Sequence, residues 1–363
     1  MQASHFELRR AFAQARTERK ARHRDIAASL QVPEGALIAA HVGHVSDDES
    51  PLQATRLRAE WPQIIESLEP LGDVMALTRN ESCVHEKVGT YREASSGPHG
   101  IGLVLGGAID LRMFYAQWAH GFAVRERLAD GALQHSLQFF DAAGQAIHKI
   151  FLRPESRLVA FGELVGQFAD TEQAPGFTAG PPYQEPAEKP DAEIDVPAFQ
   201  AAWASLRDTH EFFGLLRRFG LSRTQALRLA EPRFVQALPT GSAHELISRA
   251  AQEGVSLMVF TGNPGMIQIH SGPVQKVAVM GPWLNILDPG FNLHLREDHI
   301  ASAWLVRKPT VDGLVCSLEL FDAQGRTIAM LFGERKPGQA ERCDWRSLLD
   351  SVAEADTGTA LCK

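Results

Sequence analysis

Met75-Ala76-Leu77-Thr78-Arg79-Asn80 recurs, altered but recognisable, as Met258-Val259-Phe260-Thr261-Gly262-Asn263. Further along, Phe139-Phe140-Asp141-Ala142-Ala143-Gly144 recurs as Leu320-Phe321-Asp322-Ala323-Gln324-Gly325. From Thr78 to Thr261 the spacing is 183 residues, and from Asp141 to Asp322 it is 181, so the copies keep step between these landmarks. Two long units are a duplicated domain, not a stack of short repeats. Copies share a fold, so function should concentrate where they differ in chemistry.

The 363-residue chain divides accordingly into an N-terminal repeat (1–170), a linker (171–197) and a C-terminal repeat (198–363). The linker contains Pro175, Pro181, Pro182, Pro186, Pro190 and Pro197 with several glutamates, a composition that cannot build a core of its own. Each repeat begins with helices: Phe6 to Leu30 in the first, Val196 to Leu206 and His210 to Phe219 in the second. A short helix follows (Glu34 to Ala40; Arg223 to Leu229), then another (Pro62 to Leu68; Ser242 to Glu253). A train of alternating segments comes next, including Cys83 to Gly89, Ala108 to Phe114, His120 to Leu128 and Leu133 to Phe140. Asp130-Gly131, Ala143-Gly144, Asp312-Gly313 and Gln324-Gly325 have the chemistry of hairpin turns, because glycine supplies a positive φ. Strands so closely spaced, without helices between them, predict an α+β fold of two homologous repeats, each a large antiparallel sheet with helices.

Composition narrows the function classes. The balance of 44% hydrophobic and 22% charged residues is that of a globular chain. No apolar run is long enough for a membrane span or a signal peptide, so the expected location is the cytoplasm. Cys83, Cys316, Cys343 and Cys362 contain no C-x-x-C pair, which argues against a zinc ribbon, an iron–sulfur run or covalent c-type haem attachment. A net charge of −8 argues against a dedicated nucleic-acid binder. The corner Arg24 to Leu37 has the look of a DNA-binding helix-turn-helix, yet its second helix, Glu34-Gly35-Ala36-Leu37-Ile38-Ala39-Ala40, carries little to read a base with. A DNA-binding, ligand-responsive regulator is the alternative reading.

Aligning the two helical corners, Val32 on Leu221, exposes a difference. His210 falls opposite Ala21. Asp208-Thr209 precedes it as a capping pair, and Phe213, Gly214 and Arg217 follow at helical spacing near the same face. Glycine four residues after a histidine leaves room for a flat object against the helix. Such a face suits a haem, with imidazole to iron, aromatic packing and arginine to a propionate. A structural histidine bonded to a carbonyl fits the same spacing.

Longer motifs bear on that choice. Thr261-Gly262-Asn263-Pro264-Gly265-Met266-Ile267-Gln268-Ile269-His270-Ser271-Gly272, Gly281-Pro282-Trp283-Leu284-Asn285, and Trp304-Leu305-Val306-Arg307-Lys308-Pro309-Thr310 resemble the signatures of the HmuS/HemS-type haemin-degrading and haem-trafficking family. So do Thr78-Arg79-Asn80-Glu81, Val84-His85-Glu86-Lys87-Val88-Gly89, Asp110-Leu111-Arg112-Met113-Phe114 and Trp118-Ala119-His120-Gly121-Phe122. The resemblance runs over nearly the whole chain. It implies that haem (iron protoporphyrin IX) lies in a cleft, with His210 as the iron ligand in the motif Asp208-Thr209-His210-Glu211-Phe212-Phe213. It also implies that Arg112 approaches the opposite side of the iron as the catalytic group, with Phe114 beside it. Lys308 and Arg335 are the implied propionate partners, and His85 is a candidate for a second haem. Alternation puts Asp110, Arg112 and Phe114 on one strand face. Relatives with a tyrosine near the site contrast with Ala329 or Phe332 here. The expected function is to hold imported haem and deliver or degrade it for iron release, as a haem oxygenase-like enzyme or as a chaperone for a separate haem oxygenase. An inner-membrane haem importer is the other partner expected.

Overall fold

In the computed structural model the described residues are 4–19, 21–44, 51–335 and 338–359. The first repeat runs α1 (His5–Arg19), α2 (His23–Ser29), α3 (Glu34–Ala39), β1 (Leu52–Arg56) and α4 (Trp61–Glu66). Then come β2 (Val74–Arg79), β3 (Cys83–Gly89), β4 (Ser95–Ser96), β5 (Ile101–Val104), β6 (Asp110–Phe114), β7 (His120–Arg127), β8 (Leu133–Phe140), β9 (Ala146–Leu152) and α5 (Leu158–Phe168). The second repeat has the same order. It runs α6 (Val196–Ala204), α7 (Glu211–Phe219), α8 (Arg223–Leu229), β10 (Val235–Leu238) and α9 (Ser242–Glu253). After these lie β11 (Leu257–Asn263), β12 (Met266–Gly272), β13 (Val277–Met280), β14 (Trp283–Asp288), β15 (Phe291–Arg296), β16 (Ser302–Thr310), β17 (Gly313–Phe321), β18 (Thr327–Gly333) and α10 (Cys343–Thr359).

The fold is α+β, with two nine-stranded sheets. Their strand orders are β1-β7-β8-β9-β2-β3-β15-β14-β13 and β10-β16-β17-β18-β11-β12-β6-β5-β4. Each sheet therefore takes six strands from its own repeat and the middle trio of the other, and the exchange is reciprocal. The pairings are antiparallel, as in His120↔Phe140 and its counterpart Ser302↔Phe321. Both copies also carry a register irregularity at the same place, between Phe139 and Phe140 and between Leu320 and Phe321. The four expected turn glycines adopt positive φ: Gly131 at 85°, Gly144 at 82°, Gly313 at 110° and Gly325 at 77°.

The chain forms two compact units: residues 1–79, 86–183 and 263–268, and residues 80–85, 184–262 and 269–363. In the first, Leu57, Trp61, Ile64, Leu137, Phe139 and Ile150 belong to the main core beneath α4, and Phe12, Leu37, Phe122 and Phe140 fill a second core under α1–α3. In the second unit, Leu246, Leu257, Leu305, Leu318 and Trp345 form the main core, and Phe199, Trp203, Phe212 and Phe321 fill the one under α6–α8. The proline-rich segment is held at both ends. Arg56 donates to the carbonyls of Ala174 and Gly176, and Phe177 stacks on His120 at 3.9 Å in the first unit. Gln225 holds the Lys189 carbonyl in the second. No helix among the described residues is long and apolar enough to cross a membrane.

Candidate functional site

The second helix of the second unit, α7, shows how its sequence divides between core and surface. Phe212, Leu215 and Leu216 are buried, with Phe212 edge-on to Trp203 at 4.7 Å. Gly220, at φ 64°, ends the helix in the left-handed conformation that glycine adopts without strain. The opposite face is open to solvent. His210 immediately precedes the helix with its side chain 83% exposed, and Phe213 is 67% exposed. The Arg217 guanidinium lies 6.0 Å from the Phe213 ring. A Cβ built on Gly214 would meet nothing within 4 Å. Alanine would strengthen the helix by about 0.5–1 kcal/mol, so packing within the fold does not require glycine here. What it leaves is a bare patch between a histidine, an exposed aromatic ring and a cation.

Nδ1 of His210 bonds Asp208 Oδ1 at 2.6 Å, and the His210 backbone N–H donates to the same oxygen at 2.8 Å. That backbone bond is the main reason the Asp208 carboxyl is held below its ordinary range, and the Arg335 charge adds to it. Arg335, just beyond β18, is half-buried, and its Nη1 is a buried donor with no hydrogen-bond partner among the described residues. An unsatisfied guanidinium nitrogen is costly, and an anionic ligand would satisfy it. The second unit thus brings His210, Asp208 and Arg335 together, beside Phe213, Gly214 and Arg217. Lys336 and Pro337, which follow Arg335, lie outside the described residues.

Lys308 does not fit the role of a free propionate partner. It is 2% exposed, and its ammonium donates to Glu319 at 2.7 Å, with the Phe212 ring at 4.7 Å and the Phe332 ring at 5.6 Å. Glu319, fully buried, also accepts two bonds from Arg223 at 2.6 and 2.8 Å. Burial pushes the Glu319 carboxyl up, but the two cations outweigh it and hold the carboxyl well below the usual range. This Arg223–Glu319–Lys308 cluster under α7 escaped the sequence reading, since a charge in an alternating strand reads as a surface residue. The alignment that sets Val32 on Leu221 also sets Glu34 on Arg223, and the first unit inverts the polarity. There Glu34 is the buried anion at the helix, paired with Lys149 and with Arg79 at 2.6 Å.

Arg112 and Phe114 lie in the first unit on β6. Their face is only partly buried while Leu111 and Met113 point into the core, as alternation requires. The Arg112 guanidinium is paired with Asp110 and donates to the Leu111 carbonyl at 3.0 Å. Across the register, Leu103 faces Arg112 and Ile101 faces Phe114. Ile101 and Leu105 are exposed, so Arg112 stands on an apolar shelf that the sequence reading did not anticipate.

His85 is fully buried with its ring 5.0 Å from that of Phe291. It has no exposed nitrogen for a second haem, and the reason is its inward position in the β3 pattern. His23, on the first-repeat helix that corresponds to α7, is buried and bonded to Glu126 at 2.9 Å. Among the described residues no group of three His, Cys, Asp or Glu could hold a bare metal ion. Burial pushes the Cys83 and Cys316 thiols up to about 12. Cys362 lies outside the described residues. The DNA-binding alternative fails on α3, where Glu34, Gly35, Leu37, Ile38 and Ala39 are all buried, leaving no face to enter a groove. Its counterpart α8 buries Gln225, Ala226 and Leu227, and its Arg228 is paired with Glu188 and Asp191.

Comparisons with known proteins agree on one family. The family model of the haemin-degrading HemS.ChuX domain matches residues 31–168 and 220–352. The chain is 36% identical over 347 residues to the hemin transport protein HmuS of Yersinia pestis, covering 95% of this chain and 97% of that protein. Holo-PhuS, a heme-binding protein from Pseudomonas aeruginosa, superposes with a TM-score of 0.90 at 45% identity, covering 96% of this chain and 99% of that one. The heme degrading enzyme ChuS of Escherichia coli O157:H7 superposes with a TM-score of 0.86 at 35% identity, with the same coverage.

Proposed function

The chain belongs to the haemin-degrading HemS/ChuX family, and from that premise we propose that it binds haem through His210 and serves in haem transport and utilisation. In this role it holds imported haem in the cytoplasm and passes it on, or degrades it, for iron release. The observation that carries the reading is the exposed ridge of α7. It combines a histidine whose Nε2 faces away from its carboxylate partner, an exposed Phe213, the bare patch at Gly214, and nearby arginines. Porphyrin supplies four nitrogen ligands to its iron, so one protein histidine suffices.

Each residue has a distinct task. His210 ligates, Phe213 packs the ring face, and Gly214 allows close approach. Arg217 and Arg335 pair with propionates, the latter through the Nη1 that has no hydrogen-bond partner among the described residues. Lys308, neutralised by Glu319, supports Phe212 from beneath. Arg112, oriented by Asp110, keeps further N–H donors that would suit a polar small ligand, the role the family motif implies for it. When bound, haem supplies the oxygen chemistry, and the protein supplies orientation and charge.

Titration with haemin tests this. A sharp Soret band saturating at one equivalent, lost or shifted in His210→Ala, is the expected result. Unchanged binding by that variant refutes the ligand assignment. The relatives include both a transport protein and a degrading enzyme, and ascorbate in air with catalase separates the two activities. Bile pigment that still forms with catalase present supports turnover, with Arg112→Ala slower. Pigment that catalase abolishes leaves delivery, from an inner-membrane importer to a separate haem oxygenase, as the role.

A further inference from the structure

We propose that Asp208 is a positioning residue that fixes the ring tautomer of His210, so that Nε2 is presented as a bare electron-pair donor. The inference rests on the reading of His210 as an iron ligand and adds a residue to it. One carboxylate oxygen accepts both the His210 backbone N–H, at 2.8 Å, and the ring Nδ1, at 2.6 Å. An ionised carboxylate has no proton to offer, so the nitrogen facing it carries the hydrogen. In the neutral ring the lone pair is then on Nε2. Because one oxygen holds backbone and ring together, the imidazole is locked to the first turn of α7.

The backbone that carries this carboxylate is itself anchored. Glu211 Oε2 accepts the backbone N–H of Arg207 at 2.9 Å and of Asp208 at 3.3 Å. The Val311 N–H, at the tip of the β16–β17 hairpin, donates to the Arg207 carbonyl at 3.0 Å. A chain of bonds thus runs from a sheet hairpin to the histidine ring. Aligned on the first repeat, Asp208 falls on Arg19 and His210 on Ala21. Carboxylate and histidine are present together or absent together.

Nitrogen-15 spectra of histidine-labelled, haem-free protein read the tautomer directly. In the wild type, His210 should show a protonated Nδ1 and a bare Nε2. Asp208→Ala should move the ring toward the Nε2–H form, with Asp208→Asn in between because it keeps an acceptor. Circular dichroism confirms that each variant is folded. In the loaded protein, transfer of haem to excess apomyoglobin should speed up about 10–100-fold in Asp208→Ala, the usual effect of losing such an outer partner. An unchanged tautomer overturns the proposal, as does a changed tautomer with an unchanged transfer rate. A wild type that binds no haem refutes the haem reading instead, while the haem-free spectra still decide the tautomer.

Discussion

Replacing Glu319 by glutamine would leave Lys308 as a buried cation without a counter-charge. The two cations that share Glu319 differ in their escape routes. The Arg223 side chain is 23% exposed and can swing into water, whereas that of Lys308 is 3% exposed and cannot. The cost therefore falls on Lys308, and breaking a buried pair from one side costs about 3–5 kcal/mol. For a unit of this size, each kcal/mol lowers Tm by about 2–4 °C, so calorimetry of the haem-free protein should show a fall of roughly 6–20 °C. Lys308→Met should cost less, about 1.5–3 kcal/mol, because Glu319 keeps both bonds from Arg223. The double variant Lys308→Met/Glu319→Leu should return to within about 1 kcal/mol of wild type, since an apolar pair of similar volume often matches a buried ion pair. The pH dependence follows from the carboxyl being depressed below its ordinary 4.5 in the folded protein. Its contribution is fully present above that value and is lost as pH falls through the folded one. Wild type and Glu319→Gln should therefore converge in stability as the solution is acidified. A loss below about 1 kcal/mol in the single variant, or a double variant as weak as the single, would refute the reasoning.

Other expectations are equally direct. In the first unit, burial raises the Glu34 carboxyl, but Lys149 and Arg79 outweigh it and bring it to about 2 from an ordinary 4.5. That gap corresponds to about 3 kcal/mol, present above pH 4.5 and lost as pH falls to about 2, so urea melts of Glu34→Gln and wild type should differ at pH 7 and draw together in acid. Gly214→Ala should raise helix stability by about 0.5–1 kcal/mol while weakening haem binding; an unchanged Soret titration would count against close approach at that patch. Arg335→Met should not lower the haem-free melting temperature and should raise it slightly, because the buried Nη1 it removes has no hydrogen-bond partner among the described residues. Its haem Kd should rise about tenfold or more, as expected for one charged hydrogen bond, and an unaltered Kd would remove Arg335 from the site.

Much of this was legible in the sequence because it is local. Spacing alone reproduced α8 and α9 residue for residue, and β3 and β8 likewise, since their periodicity and flanking turns are strong. The expected Phe6–Leu30 helix proved to be two, α1 and α2, with a break before His23, and β1, β9 and α5 went unread. Alternation says which face of a strand is buried but not which strand lies beside it. The exchange of β4–β6 and β13–β15 between the sheets was therefore invisible. The same limit applies to buried charge. Glu34 looks like an ordinary first-turn acid and Lys308 like a surface cation, and only their distant partners, Lys149 and Glu319, account for their burial. At the candidate site the proposed ligand His210 and the bare glycine Gly214 could be read from one helix, whereas the Asp208–Arg335 neighbourhood required the fold.

The exchanged strand trios have a consequence for synthesis. The sheet that begins with β1 cannot be completed until β13–β15 have been made, so the first repeat leaves the ribosome with β3 as an exposed edge strand. Such an edge is a template for mispairing between nascent chains. The wait lasts while the proline-rich segment, the helices α6–α9 and the strands β10–β12 emerge, and a gene fragment encoding either repeat alone would make that wait permanent.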